Sequence, residues 1–302
     1  MIRSHQRLPR RRRPVWPIRR MSLVRKAQSF SIVMACLAAT WLAFSFHIPA
    51  MANELPEAVD RSALRVCADP SNLPFSNDKG EGFENKIAEL LAEKLNVPLK
   101  YIWYPNTVGF LRNTLRARRC DLVLGIVTGA EMVQSTNPYY RSAYVMVTRS
   151  ADNITAETIA ALQSKNFRIG LTAGAPPADI IARTGLASRV RPYDLMVDTR
   201  HQSPGKDMIE DLLDHEIDVA IMWGPIAGYY AIQHDAALRI MPLTKEANTT
   251  RMDFYITMAV RPGENRWKND INELLRENAE PIQEILRSYH IPRLDGRRKL
   301  IP

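Results

Sequence analysis

Between Leu64 and Val127 the apolar residues switch between the spacing of a strand and that of a helix, and this rhythm restricts the chain to α/β folds. Leu64-Arg65-Val66-Cys67-Ala68 has strand composition and stops at Asp69-Pro70, where proline ends the extended run. Ile87, Leu90, Leu91 and Leu95 then recur at helical spacing up to Asn96-Val97-Pro98. Leu99 to Tyr104 reads as a second strand. Phe110, Leu111, Leu115 and Ala117 form a second helical face, and Leu122 to Val127 reads as an apolar strand covered on both sides. Consecutive βαβ units of this kind pair their strands in parallel, with helices on both faces of a doubly wound sheet.

A second cycle follows the first. Tyr144 to Thr148 reads as a strand and Ala151 to Lys165 as a polar helical segment leading away from the first unit. Phe167 to Leu171 and a short run near Val190 to Tyr193 read as strands, with a helix around Ala178 to Ala182 between them. Met208, Ile209, Leu212 and Leu213 mark another helix, and Ile217 to Trp223 another strand. Phe254 to Val260 is a last strand, followed by helices with apolar faces at Ile271, Leu274 and Leu275, and at Ile282, Ile285 and Leu286. No repeat and no long Gly/Ser linker separates the cycles, which predicts two lobes joined by short crossing strands.

The charge is uneven. The chain carries a net +9, yet residues 1–52 hold ten Arg or Lys and no Asp or Glu. Without them 31 basic residues face 32 acidic ones, a net of −1. The basic balance is therefore no argument for nucleic acid, which would need a basic face on the folded part. A basic segment, an apolar run from Ser31 to Phe46 and Ala50-Met51-Ala52 make a secretory signal peptide. The run falls short of the about 20 residues of a membrane span, so cleavage after Ala52 is expected, with retention as an anchor the alternative. The expected location is the periplasm. There Cys67 and Cys120 are a disulfide candidate, the alternative being two buried free thiols.

Catalytic signatures are missing. The chain has no His-Glu-x-x-His, no Cys-x-x-Cys and no Gly-x-Ser-x-Gly. His201, His215, His234 and His290 show no ligand spacing. No metal, no cofactor and no enzymatic activity are expected.

Several runs carry a resemblance. Leu64 to Pro70, Pro74-Phe75, Gly82 to Ala88, Arg119 to Gly125 and Asn137 to Tyr140 are similar to the type II periplasmic solute-binding proteins, bacterial extracellular family 3. Arg168 to Gly174, Ile217 to Ala220 and Phe254 to Arg261 extend the similarity over most of the chain after residue 52. The resemblance implies a two-lobed periplasmic-binding-protein-like α/β fold, each lobe a doubly wound, mainly parallel sheet flanked by helices. It divides the chain into a signal peptide (1–52), the first part of lobe 1 (53–148), lobe 2 (149–250) and a return to lobe 1 with C-terminal helices (251–302).

Departures from that family bear on the ligand. Amino-acid binders of the family usually place an Arg after a Glu behind the third strand; here Glu131 is followed by Met132. They also place an Asp at the end of a second-lobe strand, where this chain has Trp223. A zwitterion enclosed without those partners would bury unpaired charges at several kcal/mol each, approximately. The cleft expected from the resemblance is lined by Asp69, Phe75, Trp103, Tyr104, Thr128, Met132, Tyr140 and Trp223.

Gly109 to Leu115, Tyr139 to Val145, Arg191 to Arg200 and Trp223 to Tyr230 resemble a narrower branch, the quinoprotein-dehydrogenase-associated binding proteins of the MoxJ and XoxJ type. That resemblance implies a partner, a pyrroloquinoline-quinone (PQQ) methanol or alcohol dehydrogenase whose maturation or activation the chain would assist. The alternative is a receptor for a membrane ABC transporter, holding a small apolar or weakly polar ligand between the lobes.

Overall fold

The computed structural model describes residues 57–234, 237–246 and 250–301; the expected signal peptide lies outside them. In lobe 1, β1 (Leu64–Ala68) is followed by the short hairpin of β2 (Ser71–Asn72) and β3 (Ser76–Asn77), then by α1 (Phe83–Leu95) and β4 (Leu99–Trp103). Phe83, Ile87, Ala88 and Leu91 form the buried stripe of α1, and its start is capped by Asn85, whose Oδ1 accepts the Gly82 and Asn77 N–H groups (both 3.0 Å). Strand β1 runs parallel to β4, with Leu64 opposite Leu99, and meets the chain just before β5 (Val123–Val127) through a parallel bridge between Val66 and Leu122.

The next helix, α2, is only Phe110–Asn113, shorter than the expected face reaching Ala117. Thr114 turns its hydroxyl back onto the Phe110 carbonyl (2.6 Å) and Arg118 adopts a positive φ, so the chain leaves the helix early. Cys67 and Cys120 then meet in a disulfide, their Cα atoms 5.6 Å apart, which ties β1 to the turn before β5.

After β6 (Gln134–Ser135), strand β7 (Tyr140–Arg149) runs between the lobes. Its first part, Tyr140 to Ala143, pairs with β12 (Asp253–Val260), and its second part pairs with β10 (Val219–Trp223) and β11 (Leu238–Pro242). The segment 151–165 forms two 3-10 turns, Ser150–Asp152 and Ala160–Ser164, in place of the expected helix, because Asn153 in the left-handed region interrupts the coil. Lobe 2 continues with β8 (Ile169–Thr172), α3 (Pro177–Arg183), β9 (Val190–Tyr193), α4 (Pro204–Leu213) and α5 (Gly224–Gln233), which starts directly after β10. The chain returns through β12 and ends in α6 (Asn265–Glu277), α7 (Ala279–Ser288), β13 (Arg293–Leu294) and β14 (Leu300–Ile301).

The long sheet has the order β5-β12-β7-β10-β8-β9. Strands β10, β8 and β9 are parallel, as a doubly wound lobe requires, while β7 and β12 run antiparallel to their neighbours. Strand alternation then builds two layers in lobe 2. Met146, Ile169, Leu171, Val219 and Ile221 pack on one face, and Val145, Val147, Ala220 and Met222 on the other against Met208 and Leu212 of α4. Lobe 1 has its own core of Leu64, Phe83, Ile87, Leu122, Ile256, Trp267, Ile271 and Leu286.

Candidate interlobe binding site

Open α/β sheets leave a crevice at the carboxyl ends of their strands, where loops diverge and polar groups are free to turn inward. Here the carboxyl ends of β1, β5 and β10 bring Ala68-Asp69, Val127 and Trp223 to one cavity of about 310 Å3. Phe75, Tyr140, Tyr144, Trp223 and Phe254 supply aromatic walls. Tyr144, Trp223 and Phe254 form a triangle with ring centroids 5.3–6.4 Å apart, each ring tilted 62–79° to the next.

Asp69 joins the lobes. It is 3% exposed, and its Oδ1 accepts the Ser71 N–H (2.8 Å) and the Thr199 hydroxyl (2.7 Å), while Oδ2 accepts the Asn106 N–H (2.6 Å). Thr199 belongs to the loop between β9 and α4, so this carboxylate is held from both sides of the cleft. Tyr289, beyond α7, stacks on Tyr229 of α5 with centroids 6.1 Å apart, a second contact between the lobes.

Glu84, in the first turn of α1, points into the same cavity. A Cβ added to Gly125 would stand 2.1 Å from Glu84 Oε1, so only glycine leaves room for the carboxyl on β5. Gly125 also holds φ +73°, which glycine adopts without steric cost. Among the described residues none donates a hydrogen bond to the Glu84 carboxyl, and burial alone pushes it up to about 8. The unfolded chain loses this proton near the ordinary carboxyl value of 4.5, so between the two values the folded chain binds the extra proton. Glu84 therefore supports folding at low pH and loses that contribution as pH rises through 8. We expect Glu84→Gln to flatten the decline in stability from pH 5 to pH 8, by up to about 1.4 kcal/mol per pH unit. Thermal unfolding of both proteins at the two pH values checks this, and parallel curves would contradict it.

The expected cleft residues divide into two groups. Asp69, Phe75, Tyr140 and Trp223 line the cavity; Trp103, Tyr104, Thr128 and Met132 do not. Trp103 shares a strand face with Tyr101, two residues away, and stacks on it with centroids 4.3 Å apart. Tyr104 packs near the disulfide beside Phe110, its hydroxyl accepting from Asn113 Nδ2 (3.0 Å). Thr128 donates to the Tyr255 carbonyl (3.1 Å) at an exposed turn, and Met132 is 52% exposed with a positive φ. Glu84, Tyr144 and Phe254 line the cavity without having been singled out in the sequence. Tyr144 and Phe254 carry only strand spacing, and Glu84 sits among polar helix residues, so neither pattern marks them as site residues. Among the described residues no Lys, Arg or His lines the cavity.

The fold has counterparts of known name. Residues 64–290 match the family model of bacterial extracellular solute-binding proteins, family 3. Protein MoxJ of Paracoccus denitrificans is 30% identical over 206 residues, covering 65% of this chain and 75% of that protein. Protein MoxJ of Methylorubrum extorquens is 27% identical over 296 residues, 90% of this chain and 98% of that protein. The crystal structure of periplasmic binding protein XoxJ from Methylobacterium extorquens AM1, 40% identical, superposes with a TM-score of 0.66 over 77% of this chain and all 100% of that one. The chain belongs to the bacterial extracellular solute-binding proteins, family 3.

Proposed function

We propose that this chain is an exported, non-catalytic partner of a PQQ-dependent methanol or alcohol dehydrogenase and assists its maturation or activation through protein–protein contact. The observation that carries the reading is the similarity to XoxJ at 40% identity over the whole of that chain, together with similarity to two MoxJ proteins. The cavity chemistry agrees: without a basic side chain in its lining, it offers no counter-charge to an amino-acid carboxylate. Exposed Val108, Val127, Leu195 and Met196 add apolar surface, with Val127 and Leu195 also reaching the cavity. The N-terminal basic and apolar runs serve as the export signal, and no helix among the described residues is long and apolar enough to cross a membrane. Residues 53–148 and 251–302 act as one lobe and 149–250 as the other. Deletion of the gene should lower the periplasmic dehydrogenase activity and be reversed by a plasmid copy; unchanged activity would contradict the reading.

The aromatic-walled cavity favours a second reading, a receptor that delivers a small ligand to a membrane transporter. It predicts growth dependence on one solute in the deletion strain and no effect on the dehydrogenase.

A further inference from the structure

We propose that the interlobe cavity binds a small organic cation, a primary amine or quaternary ammonium lacking a carboxylate, with Glu84 as its counter-charge. This inference concerns the cavity alone and depends on neither reading of the protein's partner.

Three features of the lining select that chemistry. First, its ionisable lining is acidic: Asp69 and Glu84 are present, and among the described residues no Lys, Arg or His is. A carboxylate or phosphate ligand would meet the Asp69 carboxylate with no basic side chain in the lining to offset it. Second, the two acids differ in what they have left to offer. Asp69 already accepts three hydrogen bonds, whereas Glu84 accepts none among the described residues. A neutral apolar ligand would seal Glu84 in without a partner, which is costly for a polar group. Third, the walls are aromatic. Ring faces attract cations, and cages of inclined rings with a nearby carboxylate are a general solution for ammonium groups. Tyr144, Trp223 and Phe254 stand at 62–79° to one another. The Phe254 ring already takes one cation, the Arg251 guanidinium, 5.2 Å from its centroid.

Proton balance follows from the same geometry. In the empty cavity burial keeps the Glu84 carboxyl protonated up to about pH 8. A cation stabilises the carboxylate, so binding releases one proton to solvent at neutral pH. The titratable groups around Glu84 and its cavity are Asp69, Tyr101, Tyr139, Tyr140 and Tyr144; burial raises the four tyrosine hydroxyls, so none of those four ionises between pH 6 and pH 9.

Calorimetric titration tests this with methylammonium chloride, choline chloride, the neutral choline analogue 3,3-dimethylbutan-1-ol, and glycine betaine, which adds a carboxylate. We expect saturable binding of methylammonium or choline at micromolar to millimolar concentration, and at least about tenfold weaker binding of the alcohol and of betaine. Affinity should rise by up to about tenfold per pH unit between pH 6 and pH 8, with proton release seen as a dependence of the heat on buffer ionisation. Glu84→Gln should lose that pH dependence and weaken the cation about tenfold or more. Proton release by the unaltered protein gives a readout that needs no variant. Absence of saturable binding by both cations, equal binding of the alcohol or betaine, or a cation affinity independent of pH would each overturn the proposal.

Discussion

Asp121→Ala is expected to destabilise the protein by about 3–5 kcal/mol, a large part of what holds a domain folded. Asp121 lies fully buried at the start of the β5 region. Its carboxylate takes a bidentate pair from Arg65 (2.6 and 2.8 Å) and a further bond from Arg261 (2.5 Å), while the Trp267 indole N–H donates to its carbonyl (2.9 Å). Arg261 is only 6% exposed, bonds the Cys120 carbonyl and pairs with Glu264 (2.7 Å). Truncating Asp121 takes the bidentate partner from Arg65 and leaves the buried Arg261 guanidinium with Glu264 as its one carboxylate. A buried ion pair is costly to break from one side yet often neutral to remove from both. Asp121→Ala combined with Arg261→Met should therefore recover part of the loss. Urea unfolding of the wild type, single and double variants measures this. Arg276→Ala, at the exposed pair with Glu273, is the control and should leave the unfolding midpoint essentially where it is in the wild type.

Removing the disulfide is the second large effect. Cys67 and Cys120 are 53 residues apart in sequence and bonded. Closing a loop of that length restricts the unfolded chain by about 4 kcal/mol in the chain-entropy model. Cys67→Ser with Cys120→Ser should lower stability by about that amount, and reduction of the wild type in denaturant should give the same unfolding midpoint as the double variant. Because Arg261 bonds the Cys120 carbonyl, the disulfide and the Asp121 cluster share a neighbour. Their losses should combine non-additively, which a double-mutant cycle would reveal.

Much of the fold is legible in the sequence because strands covered on both faces have to be apolar throughout. The run at 122–127 and the stripes at Ile87, Leu91 and Ile271 leave few alternatives. Helix α5 carries no local signal, because its residues are apolar on nearly every side and no amphipathic stripe marks it. The extent of β7 was missed at its start, since Tyr140 to Ala143 pairs across the chain with β12, a contact that local spacing does not encode. The candidate site divides on the same line. Asp69 and Trp223 follow from the family resemblance, and both fall at strand ends, where crevices form in open sheets. Trp103 and Tyr104 also fall at a strand end, but the face they occupy depends on how β4 lies against β1 and the disulfide turn. Glu84 had no local signal at all: a glutamate in the first turn of a helix is an ordinary dipole partner until β5 is folded against it.

On the function proposed above, this chain works by binding a quinoprotein dehydrogenase. The most direct measurement is a titration of the purified protein against the PQQ alcohol dehydrogenase of the same organism, in its apo and loaded forms, by light scattering and calorimetry. We predict a saturable complex with at least one of the two forms at micromolar affinity or tighter. No complex with either form, under conditions where the dehydrogenase is intact, would contradict the account.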